Sequence, residues 1–333
     1  MTAREAGNAE GMAKKQSPEA LAAGAVVRER SEQRRRKFRL KPDEHVDEGL
    51  RRISRDQLAV AQDGLAGHGD IGEGVHQARK SLKRLRAVVR LARDGLGDHV
   101  YRRENRIFRD TGRGLSGARD AEVLTETLDD LVERYRDEIA EGAFAGLREV
   151  LDADAKAAHE HIGDDAGKID EVRATLSAAR DRVVTWPLSE NGDAGMLADG
   201  FERIYKRGRR ALKAAERDGG DEDLHELRKR AKDLWHAAQV LRPVAPKRMK
   251  GIGRHAHGLS DLLGDDHDLA VLMEAASSHA GALRPGEDVL LATLVARRRG
   301  RLQRNAIALG RRVYRSKPKS WRRRMVRGAA AHA

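Results

Sequence analysis

The chain has 333 residues, with 66 Lys plus Arg against 53 Asp plus Glu and a formal charge of +13, which points to a polyanionic partner. It has no cysteine, and this excludes disulfides, thiolate metal sites, iron–sulfur clusters and cysteine nucleophiles. With 4 Phe, 3 Trp and 4 Tyr it lacks the rings on which single-stranded nucleic-acid grooves stack their bases, and no apolar run approaches the roughly 18 residues of a membrane span.

Residues 1–42 carry a charge of +6, concentrated in RERSEQRRRKFRLK, and show no apolar period, so they read as a disordered basic head. The start mixes acids with bases, and the short apolar patch from Leu21 to Val27 has no clear cleavage site, so a cytoplasmic location is expected. The sign of the charge then alternates. Residues 75–119 and 203–257 are each +9, and 120–202 between them are −14. Gly and Pro clusters at 67–74, 95–97, 112–117, 191–195, 219–220 and 243–246 punctuate segments with a helical period. The expected class is all-α. A further helix is expected over about Arg297 to Tyr314, followed by a frayed basic tail over 316–333.

The two basic blocks align. VHQARKSLKRLRAVVRLARDGLG from Val75 lies over LHELRKRAKDLWHAAQVLRPVAP from Leu224, pairing His76 with His225, Arg79 with Arg228, Lys80 with Lys229 and Lys83 with Lys232. Upstream, Arg52 and Arg55 meet Arg203 and Lys206; downstream, Asp120 meets Asp268. The alignment predicts an internal duplication, with one helical-bundle repeat over 43–190 and a second over 191–315. In the first block Val75, Ala78, Leu82, Leu85, Val89, Ala92 and Leu96 form a stripe that must face a core. One position on, His76, Arg79, Lys83, Arg86 and Arg90 form a cationic stripe rotated by about 100°. The next helix adds Arg102, Arg106, Arg109 and Arg113, matched in the copy by Lys250, Arg254, His257 and Asp261, while Lys206, Arg209, Arg210 and Lys213 mark another basic face.

Cations at i, i+3 or i+4, and i+7 stand about 5 Å apart, repel one another, and gain attraction from an anion of similar charge repeat. Repeated phosphates fit. His76 and His225 fall in first helical turns, where free N–H groups and a partly protonated imidazole suit phosphate. The competing reading of any one stripe is a solvated helix face; recurrence at aligned positions argues against it. His257 with Asp261 makes at most half a metal site, and no cofactor or metal is expected. Nucleotide-binding and hydrolase motifs are missing from the sequence, which makes an enzyme the weaker expectation.

These residues resemble the CHAD domain, whose pattern of H-x-x-R-x-x-x-[KR]-[KR]-[LF]-R is met by His76, Arg79, Lys83, Arg84, Leu85 and Arg86, followed by Leu115, Arg119 and Asp120. The second copy offers His225, Arg228 and Lys232, then Leu263, Gly264 and Asp268, and departs where Asp233 and Trp235 replace basic residues and His267 replaces arginine. The resemblance covers about residues 43–315. It implies two pseudo-symmetric four-helix-type bundles with a basic groove or pore between them that binds inorganic polyphosphate, and association with polyphosphate granules and their proteins. The polyphosphate ligands then expected are Arg52, Arg55, His76, Arg79, Lys80, Lys83, Arg86, Arg90, Arg106, Arg109, Arg113 and Arg119 in the first repeat, with Lys206, Arg209, Arg210, His225, Arg228, Lys229, Lys232, Lys250 and Arg254 in the second. Competing expectations are a phosphate-chain enzyme using a His acid or phosphoacceptor with a divalent metal, and duplex nucleic-acid binding through the basic termini.

Overall fold

The apolar stripe from Val75 to Leu96 and its counterpart in the copy, Leu224, Leu227, Ala231, Leu234, Ala238 and Leu241, both turn inward, and every one of their residues is at most 4 % exposed. The computed structural model of the chain describes residues 38–42, 44–66, 70–115, 118–164, 166–188 and 194–330. Among them are eleven α-helices, one 3₁₀ turn and no strand: α1 Val46–Gly64, α2 Ile71–Leu91, α3 Arg93–Gly114, α4 Ala118–Arg134, α5 Ala145–Asp164, α6 Ala166–Val184, α7 Ala194–Arg217, α8 Asp221–Val240, α9 Pro246–Ser278, α10 Glu287–Val313 and α11 Pro318–Ala330. The all-α expectation holds. Residues 1–37, most of the predicted disordered head, lie outside the described residues, but the end of that segment is built in. Phe38 and Leu40 are buried, and the Leu40 N–H donates to the Val240 carbonyl at 3.1 Å.

Local chemistry sets the boundaries. The Asp70 carboxylate caps α2 by accepting from the N–H groups of Gly72 and Glu73, and Pro246 opens α9, where its missing N–H costs nothing. Gly97, at φ 71, kinks α3 in a conformation costly for other residues. Where the chain breaks between α3 and α4, the second half runs on as one helix of 33 residues, α9.

Helix neighbours recur in order along the chain. α1 packs on α2, α2 on α3, α4 on α5 and α1 on α6; likewise α7 packs on α8, α8 on α9, α9 on α10 and α7 on α11. The duplication itself stays an inference from the sequence. The cores do not follow its halves. One joins α1, α2 and α6 to α7, α8, the start of α9 and α11. The other joins Leu128 and Leu131 of α4 and Leu147 and Leu151 of α5 to Leu269 and Leu272 of α9 and Leu291 and Leu294 of α10. α2 packs on both α7 and α8. Gly200 permits this, since a Cβ there would stand 2.0 Å from the Leu91 carbonyl oxygen.

Two expectations near the C-terminus need correction. α10 begins at Glu287, ahead of the expected start at Arg297, after Gly286 in the left-handed region; the Glu287 carboxylate accepts from the Arg284 N–H at 2.9 Å and from the Phe144 N–H at 3.0 Å, tying the start of the helix to the α5 side. The segment after Pro318 is not a frayed end. As α11 it lays Trp321 (8 % exposed) and Met325 (2 %) against α7, with the Trp321 ring 5.4 Å from Phe201 and 5.7 Å from Tyr205. Trp321→Ala should therefore cost about 3 kcal/mol or more of stability, the scale for a buried large aromatic. A urea midpoint unchanged from wild type would show that α11 contributes nothing to the core.

Candidate functional site

Lys83 and Lys232, equivalent in the alignment, are neighbours in space. They come from α2 and α8 where these helices pack, and each lies in the other's electrostatic field. Burial, reinforced by Arg228 and Lys83, pulls the Lys232 ammonium down to about 8. Further along α2, burial with Arg90 beside it brings the Arg86 guanidinium down to about 10; Arg109 of α3 adds to the crowding, and Arg86 Nε donates to Asn105 Oδ1 at 3.4 Å. The predicted stripes therefore meet in one cationic surface.

At the α8 end, the His225 ring stands 4.7 Å from that of His267 of α9, and Arg228 reaches Asp268 at 3.8 Å. His225 Nδ1 and Arg228 Nε are buried without a hydrogen-bond partner among the described residues. Burial, then Lys229, His267 and Arg228, depresses His225 to about 4. This corrects the partly protonated imidazole expected there: His225 is neutral near pH 7. The first turns, expected to offer free N–H groups, differ. In α2 the Asp70 carboxylate accepts from the N–H groups of Gly72 and Glu73, whereas α8 opens at Gly220 with no side-chain cap, although its first turn holds Asp221, Glu222 and Asp223, whose charges oppose an anion.

The remaining predicted residues divide. His76, Arg79 and Lys80 lie half-buried along α2 and Lys83 is exposed; Arg106 and Arg113 are exposed on α3, with Arg109 bonded to Asp110 at 2.7 Å. Lys229 is exposed beside Glu226 at 4.0 Å. Lys250 and Arg254 are exposed on α9 with no carboxylate partner among the described residues, while His257 bonds Asp261 and packs on Trp235. Arg119 begins α4, and its side chain lies outside the described ones.

Four residues face elsewhere. Arg52 is held by Glu44, with Nε donating at 2.8 Å, and Arg55 lines a cavity with Arg180 and Asp181 of α6. Lys206 lines the α7–α11 cleft with Lys319 and Arg323, and Arg209 donates to the Ser316 carbonyl at 3.2 Å. Their stripes face α6 and α11 because these outer helices cover α1 and α7, which the sequence periodicity does not reveal.

Two buried ions were not anticipated as such. Asp233, 8 % exposed, accepts from Arg90 of α2 at 2.6 Å and from Arg230 at 2.7 Å. Arg84, placed in the family motif, is buried under Phe38, donates to Gln57 at 3.2 Å and therefore supports the fold. Arg207 was also missed, though Arg203, Arg207 and Arg210 follow a 4-3 helical spacing that marks a second basic face of α7. Among the described residues, no group of three or more His, Asp and Glu stands together as a metal site, and no helix is long and apolar enough to cross a membrane.

Comparison with known proteins bears on this architecture. No curated protein matches the chain. A crystal structure of the CHAD domain from the plant Ricinus communis is similar at a TM-score of 0.55 and 18 % identity, over 86 % of this chain and 93 % of that one, which supports the shared helical fold. The CHAD domain family model matches residues 50–277, most of the chain and all of α2, α7 and α8, so this protein belongs to the CHAD domain family.

Proposed function

We propose that the α2–α8 surface binds long-chain inorganic polyphosphate, as a binding module rather than an enzyme, and that this binding holds the protein at polyphosphate granules. The observation that carries the reading is the meeting of two cationic stripes, Lys83 beside Lys232 and Arg86 beside Arg90 and Arg109, with burial and mutual repulsion lowering Lys232 and Arg86. Cations held this way gain most from an anion that repeats its charge along their line. A base-free phosphate chain has that repeat and asks for no stacking rings. Membership in the CHAD family is compatible with it.

A chain occupying many rungs should bind more tightly as it lengthens and should lose affinity steeply with salt. The triple variant His76→Ala, Arg79→Ala, Lys83→Ala should weaken long-chain binding by tenfold or more, the loss of even one charged contact of about 1.5 kcal/mol. Filter binding at fixed salt reads this, and equal retention by variant and wild type would remove α2 from the site. Duplex DNA at equal phosphate concentration should compete poorly. Phosphate release from the chain in Mg²⁺ or Mn²⁺ would replace the binding reading with an enzymatic one.

The pH dependence has a definite sign. An anion beside His225 favours the charged imidazole and raises it from about 4, so binding takes up a proton and tightens as pH falls towards that value. Lys232, at about 8 in the free protein, is likewise raised by the anion, so affinity declines as pH climbs past 8. Dissociation constants at pH 5.5, 7 and 9 and constant ionic strength should rise in that order. His225→Gln should flatten the acid limb and Lys232→Arg the alkaline one; a pH-independent wild type would contradict both assignments.

A further inference from the structure

Lys232 and Asp233 are successive on α8, so their side chains leave the helix about 100° apart. Lys232 looks to Lys83 and Arg228, while Asp233 looks to Arg90 and into the field of Arg207. α8 thereby divides the cations into two groups, with Arg90, the neighbour of Arg86 in the first, lining the second. The second group surrounds a cavity of about 300 Å³ between α2, α3, α7 and α8, which five arginines reach and which Tyr101 and Ile204 complete.

Its charge is not balanced. Arg203 is paired with Asp94 at 2.9 Å and Arg93 with Asp98 at 2.8 Å, while Arg90 shares Asp233 with Arg230. Arg207 and Arg210, both exposed on α7, have no carboxylate within ion-pair distance among the described residues. The five guanidiniums of the cavity thus face three carboxylates, Asp94, Asp98 and Asp233, and the last is shared with Arg230. Planar guanidiniums converging on a small volume match phosphate oxygens with paired N–H groups.

We propose that this cavity is a separate site for a compact oligophosphate of two or more negative charges, held by Arg207 and Arg210, with Asp233 as the counter-ion it competes with for Arg90. The inference rests on the polyphosphate reading of the neighbouring α2–α8 surface and adds a second, short-chain site to it. The same chemistry is carried by free tripolyphosphate and by the end of a long chain.

The test is calorimetric titration of the full chain with tripolyphosphate and with long-chain polyphosphate, for wild type, for Arg207→Ala with Arg210→Ala, and for Asp233→Asn. The double variant should weaken tripolyphosphate tenfold or more and long chains less than threefold; Asp233→Asn should tighten tripolyphosphate. Equal weakening of both ligands would overturn the separate site, as would a double variant that binds tripolyphosphate like wild type. Wild type binding long chains but no tripolyphosphate overturns the inference and leaves the polyphosphate reading standing; wild type binding neither overturns both. Long chains that displace tripolyphosphate only when their ends are unesterified identify the chain end as the occupant, and no displacement identifies the free oligophosphate. Because Asp233 is buried, its variant is checked first by thermal unfolding. The exposed Arg207 and Arg210 carry the test if Asp233→Asn does not fold.

Discussion

Asp233 is what allows two cationic helices to pack side by side. It accepts from Arg90 of α2 at 2.6 Å and from Arg230 of its own helix at 2.7 Å, with 8 % of its surface exposed. A buried ion pair gains little net energy over an apolar pair, but loss of one partner leaves an uncompensated buried charge, at about 3–5 kcal/mol. Without this carboxylate, Arg86, Arg90, Arg207 and Arg230 would share one small region with only Glu226, paired to Arg230 at 2.8 Å, as an anion. The crossing of α2 and α8 therefore depends on a negative charge, and so does the proximity of Lys83 to Lys232.

One carboxylate does not quench the rest. Lys232 near 8, Arg86 near 10 and His225 near 4 all record the same strain: burial and like charges disfavour the protonated form. The free protein sheds part of this repulsion by holding His225 neutral. A bound anion reverses it, so ligand affinity and proton uptake become linked in a single equilibrium. His236, buried between the stripes and depressed to about 3 by burial, marks the apolar floor beneath this surface.

The helices and their inward faces were legible in the sequence because the apolar stripes follow the helical period, and all positions of both are buried. The meeting of α2 and α8 was legible only through the alignment of Lys83 with Lys232. What the sequence concealed was direction. Arg84 and Arg86 look equivalent in a string of bases, yet Arg84 sits under Phe38 while Arg86 faces Arg109. Arg52, Arg55, Lys206 and Arg209 share the charge of the other stripe residues, but α6 and α11 pack over their helices and redirect them. Arg119, outside the described side chains, stays an expectation.

The C-terminal cations show why net charge is a poor guide to a binding face. Residues 297–333 contain 14 Lys and Arg and no acid, the largest excess in the chain, and as a sequence they resemble a loose basic arm. In the fold that arm is α10 and α11, and its arginines answer acids elsewhere: Arg297 meets Glu138 of the α4–α5 connection at 2.8 Å, Arg299 meets Asp266 of α9 at 3.1 Å, Arg311 meets Glu216 of α7 at 2.7 Å, and Arg322 meets Asp199. Much of the terminal excess is therefore compensation for acids on α7, α9 and the α4–α5 connection, delivered from a distance in sequence. The α2–α8 surface carries a smaller formal excess, but burial and mutual repulsion hold Lys232 and Arg86 below their ordinary values, and a polyanion would respond to that local crowding.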